Sequence, residues 1–194
     1  MKLLAIESSG LVASAAVFAD DTIVAEFTVN NKQTHSQTLL PMIDQVVTMS
    51  GIDLKEIDAI ATTSGPGSFT GLRIGAATAK GLGLALHKPI VPITTLEALA
   101  FRLAGREGNI CPMMDARRNQ VYAGVYRVGD MLLECVTGQK AVSIEDYITE
   151  LNDLGDPVTV LGDGVPVHRE ALQQGLNVAW QEAPAHMNLS LIHI

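Results

Sequence analysis

Apolar and polar positions alternate at the start of the chain, and the alternation predicts strands. Lys2 to Ser8 fits one strand, and Ala13 to Phe18 and Thr22 to Val29 fit two more, joined by a tight turn at Asp20-Asp21. The spacing then changes. From Ser36 to Met49, Leu39, Leu40, Ile43, Val46 and Val47 recur at helical intervals, and Gly51 stands where a helix stop belongs. Asp58 to Thr63 reads as a short buried strand, Thr70 to Leu86 as a helix and Pro89 to Ile93 as a strand. Thr95 to Ala104 follows as a helix, with Thr94 or Thr95 as its cap.

The second half repeats this order more loosely. Ile110 to Met114, Val121 to Tyr126 and Met131 to Val136 read as strands, Ser143 to Leu151 as a helix, Val158 to Leu161 as a strand and Pro166 to Gln173 as a helix. Strands first and crossovers afterwards, twice over, predict an α/β protein of two similar lobes, residues 1–100 and 101–194.

Composition narrows what such a protein can do. The 194 residues are 47% hydrophobic with no low-complexity tract, enough for two real cores. Thirteen Lys and Arg against 21 Asp and Glu give a net charge of −8, which argues against this chain as the main grip on a nucleic acid. No run approaches 18 uninterrupted apolar residues, so no membrane span is expected. The opening "MKLLAIESSGLVASAAVFA" is interrupted by Glu7, and its alternation fits a strand better than a secretory signal. Cys111 and Cys135 lack a CxxC partner and lie in apolar segments, as reduced core thiols of a cytoplasmic protein would.

The stretch "SGPGSFTGLRIG", Ser64 to Gly75, looks like a phosphate loop but fails the tests for one. A Walker loop needs Lys after its last glycine, where this chain has Leu72 and Arg73 after Gly71. The dinucleotide fingerprint needs a third glycine where Thr70 stands. What remains is a turn made by Gly65, Pro66 and Gly67 and a helix capped by Ser68 or Thr70, whose free amides could also attract an anion.

The helix behind the loop carries Gly71, Gly75, Ala79 and Gly83 at i, i+4 spacing, with Gly81 on another face. Each interior glycine costs roughly 1 kcal/mol relative to alanine. Such a stripe calls for close packing, either against the chain's own helix and sheet or against another subunit.

The segments "LLAIESSGLVASAAV", "HSQTLLPMIDQVV", "GPGSFTGLRIGAATAKGLGLAL" and "MDARRNQVYAGVY", in this order, resemble the TsaB (YeaZ) family. These are accessory subunits of the machinery that forms threonylcarbamoyladenosine beside the anticodon of certain tRNAs. The resemblance covers residues 2 to 185. It implies an actin-like, Hsp70-like ATPase (ASKHA) fold, a paralogous catalytic partner TsaD and a third component, the ATPase TsaE. It also implies docking through the two helices of the first lobe. The expected partner interface is Leu39, Ile43, Val46 and Val47 on one helix and Gly71, Ile74, Gly75, Thr78, Ala79, Leu82 and Gly83 on the other. A second copy of the chain would occupy the same surface when TsaD is absent.

TsaD-type proteins carry a His-x-x-x-His metal pair on the helix that here reads "ITTLEALAF", without histidine. No two of the five histidines lie three to five residues apart, so neither a metal nor catalysis is expected on this chain. The family's nucleotide loops also look eroded. Glu7, Ser8 and Ser9 stand where an Asp-x-Gly arrangement belongs, beside Gly65, Gly67 and Ser68. In the second lobe an acid separates Gly162 from Gly164. No ATP or other cofactor is expected on the chain alone, and tRNA is expected only through the complex. Two alternatives are an ATP-using phosphotransferase or ATPase of the same fold, and a hydrolase built on Ser68, His35 and Asp115. Asp115 is otherwise expected to pair with a neighbouring arginine. The final "MNLSLIHI" departs from the family pattern and is expected as an altered or truncated end that leaves the usual final-helix position unfilled.

Overall fold

The computed structural model describes residues 1–30, 34–129, 132–184 and 187. The terminal "LSLIHI" lies outside the described residues. The chain divides into two compact units, Met1–Thr95 and the part that begins at Leu96. The division falls at the start of the helix Thr95–Phe101.

In the first unit, β1 (Lys2–Glu7), β2 (Ala13–Ala19) and β3 (Thr22–Val29) form an antiparallel meander. Asp20 and Asp21 both adopt positive φ between β2 and β3, which gives the tight turn that their residue types favour. Helix α1 (His35–Ser50) ends at Gly51 in the left-handed conformation, and then leads by a 3₁₀ turn to β4 (Ala59–Gly65). Helix α2 (Phe69–Leu86) crosses to β5 (Ile90–Thr94). Strands β4 and β5 add in parallel beside β1, so the sheet order is β3-β2-β1-β4-β5.

The second unit repeats that topology strand for strand. After α3 (Thr95–Phe101) come β6 (Asn109–Arg117), β7 (Gln120–Gly129) and β8 (Leu132–Ser143), again an antiparallel meander. Then α4 (Ile144–Leu154), β9 (Val158–Leu161), α5 (Gly164–Gly175) and β10 (Trp180–Glu182) give the order β8-β7-β6-β9-β10. Ser143 caps α4 by accepting from the Asp146 amide at 3.1 Å, and Gly155 ends the helix in the left-handed region.

Each unit buries one face of its sheet under its crossover helices. In the first unit Leu4, Ile6, Ala15, Val17 and Ile60 meet Leu39, Met42, Ile43 and Val46 of α1 and Ala79 of α2. In the second, Cys111, Met113, Val121, Ala123 and Val125 meet Ile144, Tyr147, Ile148 and Leu151 of α4 and Leu172 of α5. Burial pushes the Cys111 thiol up to about 12, which makes it inert at neutral pH. Cys135, also expected in the core, is exposed instead. Its strand β8 is the edge of the second sheet, and half of such a strand faces water.

Candidate functional site

The glycine loop is built by the first strand as much as by itself. Strand β1 ends in Glu7, Ser8 and Ser9, all buried. The Ser68 amide donates to the Ser9 carbonyl at 2.7 Å, and the Ser8 hydroxyl donates to the Gly71 carbonyl at 2.9 Å. Ser68 is the cap of α2, with its hydroxyl accepting from the Gly71 amide at 3.3 Å. Two of the amides that could have met an anion are therefore engaged within the chain, and the loop acts as a turn and cap.

The glycine stripe explains how α2 comes so close. A Cβ on Gly71 would fall onto the Ser8 carbonyl oxygen, one on Gly75 onto the Ser8 hydroxyl, and one on Gly83 within 3.1 Å of Ile90 and the Lys88 carbonyl. Gly67, at φ 154°, leaves no room for a side chain against Ser9. The stripe of Gly71, Gly75, Ala79 and Gly83 is thus buried inside its own unit. Gly71 and Gly75 of the stripe approach Ser8, just past the chain's own first strand. Leu39, Ile43 and Val46 are likewise core residues, and Val47, Ile74 and Leu82 pack part-buried against that core, with Thr78 also part-buried.

The opposite face of α2 is open. Phe69 is 74% exposed and Leu84 78%, with Arg73 placed over the Phe69 ring at 5.3 Å. On α1, Leu40 is 57% exposed. Edge strand β3 and α1 also enclose a groove of about 860 Å³ lined by Val24, Phe27, Pro41 and Met49 among others. Of the exposed helix positions, Leu40 falls within the helical periodicity, whereas Phe69 and Leu84 were not singled out by it, because a helix that is apolar on both faces shows no clear polar side.

Glu7 sits at the centre of the first-strand loop. The Ser9 hydroxyl donates to it at 2.6 Å and the Ser9 amide also donates to it. Burial raises its carboxyl from 4.5 to about 7, and the Ser9 donors offset part of that rise. In the second unit Gly162 and Gly164 press against the end of β6, where a Cβ on Gly162 would fall on the Met113 carbonyl oxygen and one on Gly164 would lie 3.1 Å from it. Between them Asp163 accepts from the Asp115 amide at 3.2 Å, and its carboxyl is raised by burial. Asp115 pairs with Arg117 at 3.3 Å, as expected for a charged turn.

That turn between β6 and β7 is strained. Arg117, Arg118 and Asn119 all have positive φ, at 67°, 53° and 60°. A left-handed conformation costs a side-chain-bearing residue roughly 1–2 kcal/mol. The hydrolase alternative finds no support in the local contacts. The Ser68 hydroxyl is the helix cap, and His35 bonds the Gly10 carbonyl through Nε2 at 2.9 Å.

Similarity to known proteins agrees with this geometry. A family model described as "TsaD: tRNA N6-adenosine threonylcarbamoyltransferase" matches residues 22–191. The chain is 34% identical to the tRNA threonylcarbamoyladenosine biosynthesis protein TsaB of Bacillus subtilis over 91% of its own length and 77% of that protein. The chain belongs to the TsaB family. To TsaB of Haemophilus influenzae it is 39% identical over 63% of its own length, a match that spans about half of that relative, 52%. The solved structure of YeaZ from Pseudomonas aeruginosa superposes with a TM-score of 0.81 at 27% identity, covering 93% of this chain and 84% of the other. The two mixed sheets with flanking helices are those of the actin-like fold. Among the described residues, no helix is long and apolar enough to cross a membrane.

Two measurements check the site. Gly71→Ala, which drives a Cβ into the Ser8 backbone, is expected to lower unfolding stability by about 1–3 kcal/mol. Gly81→Ala, with open space around it, should raise stability by up to about 1 kcal/mol. A denaturant series on both variants decides, and equal behaviour of the two would refute the packing account. For Glu7, the folded value of about 7 lies above the unfolded 4.5, so its contribution is full below pH 4.5 and falls as the pH rises through 7. The loss amounts to about 3 kcal/mol by pH 8. Glu7→Gln should flatten that part of the stability profile, read from melts between pH 4.5 and 8.

Proposed function

We propose that this chain is the non-catalytic member of the assembly that forms threonylcarbamoyladenosine on tRNA. It docks on the catalytic subunit TsaD through the outward face of α1 and α2, and supports assembly with the ATPase TsaE. The observation that carries this reading is the uncovered apolar surface of Leu40, Phe69 and Leu84 on the two helices. Covering a large apolar side chain contributes about 1.5–3 kcal/mol, so three of them provide a real drive for association before its entropic cost. The partner surface lies opposite the glycine stripe, and the stripe fixes α2 so that this face points outward. Without TsaD, a second copy of the chain would meet the same face in a self-complementary contact.

Catalysis belongs to the partner in this reading. The helix that carries a histidine pair in TsaD-type proteins has Thr95, Leu96, Glu97, Ala98 and Leu99 here. ATP is not bound by this chain alone, because the loop amides are used internally and Glu7 is held by Ser9. The cytoplasm, where tRNA is modified, is its place of work, and tRNA reaches it through the complex.

Phe69→Asp and Leu84→Arg test the docking face with charges that suit their helix ends, negative at the N-terminus and positive at the C-terminus. Each is expected to leave the melting temperature unchanged within a few degrees and to weaken TsaD association at least about tenfold, read by sedimentation and pull-down. Undiminished association by the double variant would overturn the reading. The isolated chain should give a flat calorimetric titration with Mg-ATP, no submicromolar tRNA affinity at physiological salt and no threonylcarbamoyl transfer. Heat on ATP addition would favour the ATPase alternative.

A further inference from the structure

Glu7 lies buried at the end of β1 and forms no ion pair among the described residues. Its Oε1 accepts from both the hydroxyl and the amide of Ser9, while its Oε2 is buried without a hydrogen-bond partner among them. A carboxylate so placed loses most of what water gives it, and the protonated form is favoured. What this group holds is a junction of two helices. The carbonyl of Ser9, the residue that Glu7 grips, takes the Ser68 amide at 2.7 Å, and the next carbonyl, of Gly10, meets His35 Nε2 at 2.9 Å. Ser8 adds its bond to the Gly71 carbonyl at 2.9 Å. The first turns of α1 and α2, with Phe69 directly after Ser68, are thus tied to three residues that follow one buried carboxyl.

We propose that Glu7 is a proton-operated latch on the docking face. Protonated, it keeps the Ser8–Gly10 loop closed on the starts of α1 and α2 and holds Phe69 in place; ionised, it draws water into the loop and loosens the first turn of α2. This rests on the docking reading above and adds to it a control of the same face.

The groups that face Glu7 from its own unit are uncharged. Strand β2 sets Ser14 opposite it, β4 brings the Thr63 hydroxyl near it, and the loop contributes Ser9 and the Gly10 amide. Helix α2 brings Gly71 and Gly75 to the loop, and its Arg73 lies on the outer face over Phe69. Two ionisable side chains stand one step further out. Glu26 of β3 is reached from Ser14 through Thr28, by contacts of 3.1 and 2.7 Å, and His35 of α1 stands behind the Gly10 carbonyl. Burial, opposed by the Ser9 donors, places the titration of Glu7 at about 7, where a change of one pH unit alters its charge substantially.

Hydrogen exchange on the full chain reads the latch at the Ser9 and Ser68 amides, with the amides of β2 as the reference. The closed loop carries the raised value and the open loop the ordinary 4.5, so opening is rarest below pH 4.5 and grows until the pH passes 7. Protection of the two loop amides, corrected for intrinsic exchange, is expected to fall roughly 50-fold between pH 5 and 8 and to stay below that of β2 throughout. Glu7→Gln should abolish this dependence, and His35→Gln should keep it. Over the same range TsaD association by the parent should weaken at least about threefold relative to Glu7→Gln. Loop amides that exchange only together with β2, or a pH dependence that survives in Glu7→Gln, would overturn the latch. If the loop opens as expected but the parent and Glu7→Gln bind TsaD alike at every pH, while Phe69→Asp still weakens association, the control of docking is overturned alone. Undiminished association by Phe69→Asp as well would overturn the docking reading with it.

Discussion

The close approach of α2 to the end of β1 is the constraint on which the first unit depends. Gly71 and Gly75 let the helix backbone settle onto Ser8, and Gly67 lets the preceding loop settle onto Ser9, with Ser8 bonding the Gly71 carbonyl and the Ser68 amide bonding the Ser9 carbonyl. This contact fixes which way α2 is turned about its axis. The face with Gly71, Gly75, Ala79 and Gly83 goes in, and the face with Phe69 and Leu84 comes out. Propensity alone would not keep so glycine-rich a helix, since each interior glycine weakens it by about 1 kcal/mol. Burial against the sheet, capping by Ser68 and the hydroxyl bond from Ser8 offset that cost.

The same device appears in the second unit with different chemistry. After the fourth strand of each sheet the chain turns on glycine against the end of the first strand: Gly67 on Ser9, and Gly162 on Met113. In the first unit the loop that receives it is held by serine hydroxyls around a buried Glu7, and in the second by Asp115 and Asp163. In both units the loop makes hydrogen bonds to groups of the chain itself.

The first hairpin of the two units differs in backbone conformation. The β1–β2 connection holds no side-chain-bearing residue at positive φ, while the β6–β7 tip holds three in a row. Hydrogen bonds from the Arg117 amide to Asp115 and from the Asn119 side chain to Glu145 hold that tip in place.

The sequence by itself determined most of the elements. The meander of β1 to β3 was legible in period-two alternation, α1 in the spacing of Leu39, Ile43 and Val46, and its end in Gly51, because these signals are local. The duplicated order of strands and crossovers, a cap at Ser68 or Thr70 and a pair of Asp115 with a neighbouring arginine could also be read from residue types in short range. Elements with weak local signals were not legible. Strand β10 has three residues, too few to show a period, and β8 runs on to Ser143 where the expected strand stopped at Val136, because the polar and glycine positions 137–140 carry no apolar alternation. The resemblance carried the family, since the glycine loop in isolation reads as a turn and a helix cap and names no family. Only the tertiary structure decided what the glycine stripe touches. Helical spacing places residues on one face but does not say whether sheet or partner lies against it; the Ser8 carbonyl, 63 residues away along the chain, settles that. The strain at Arg118 was equally out of reach, because its left-handed backbone comes from the pairing of β6 with β7 and from contacts with α4, none of which is written in the residues of the turn.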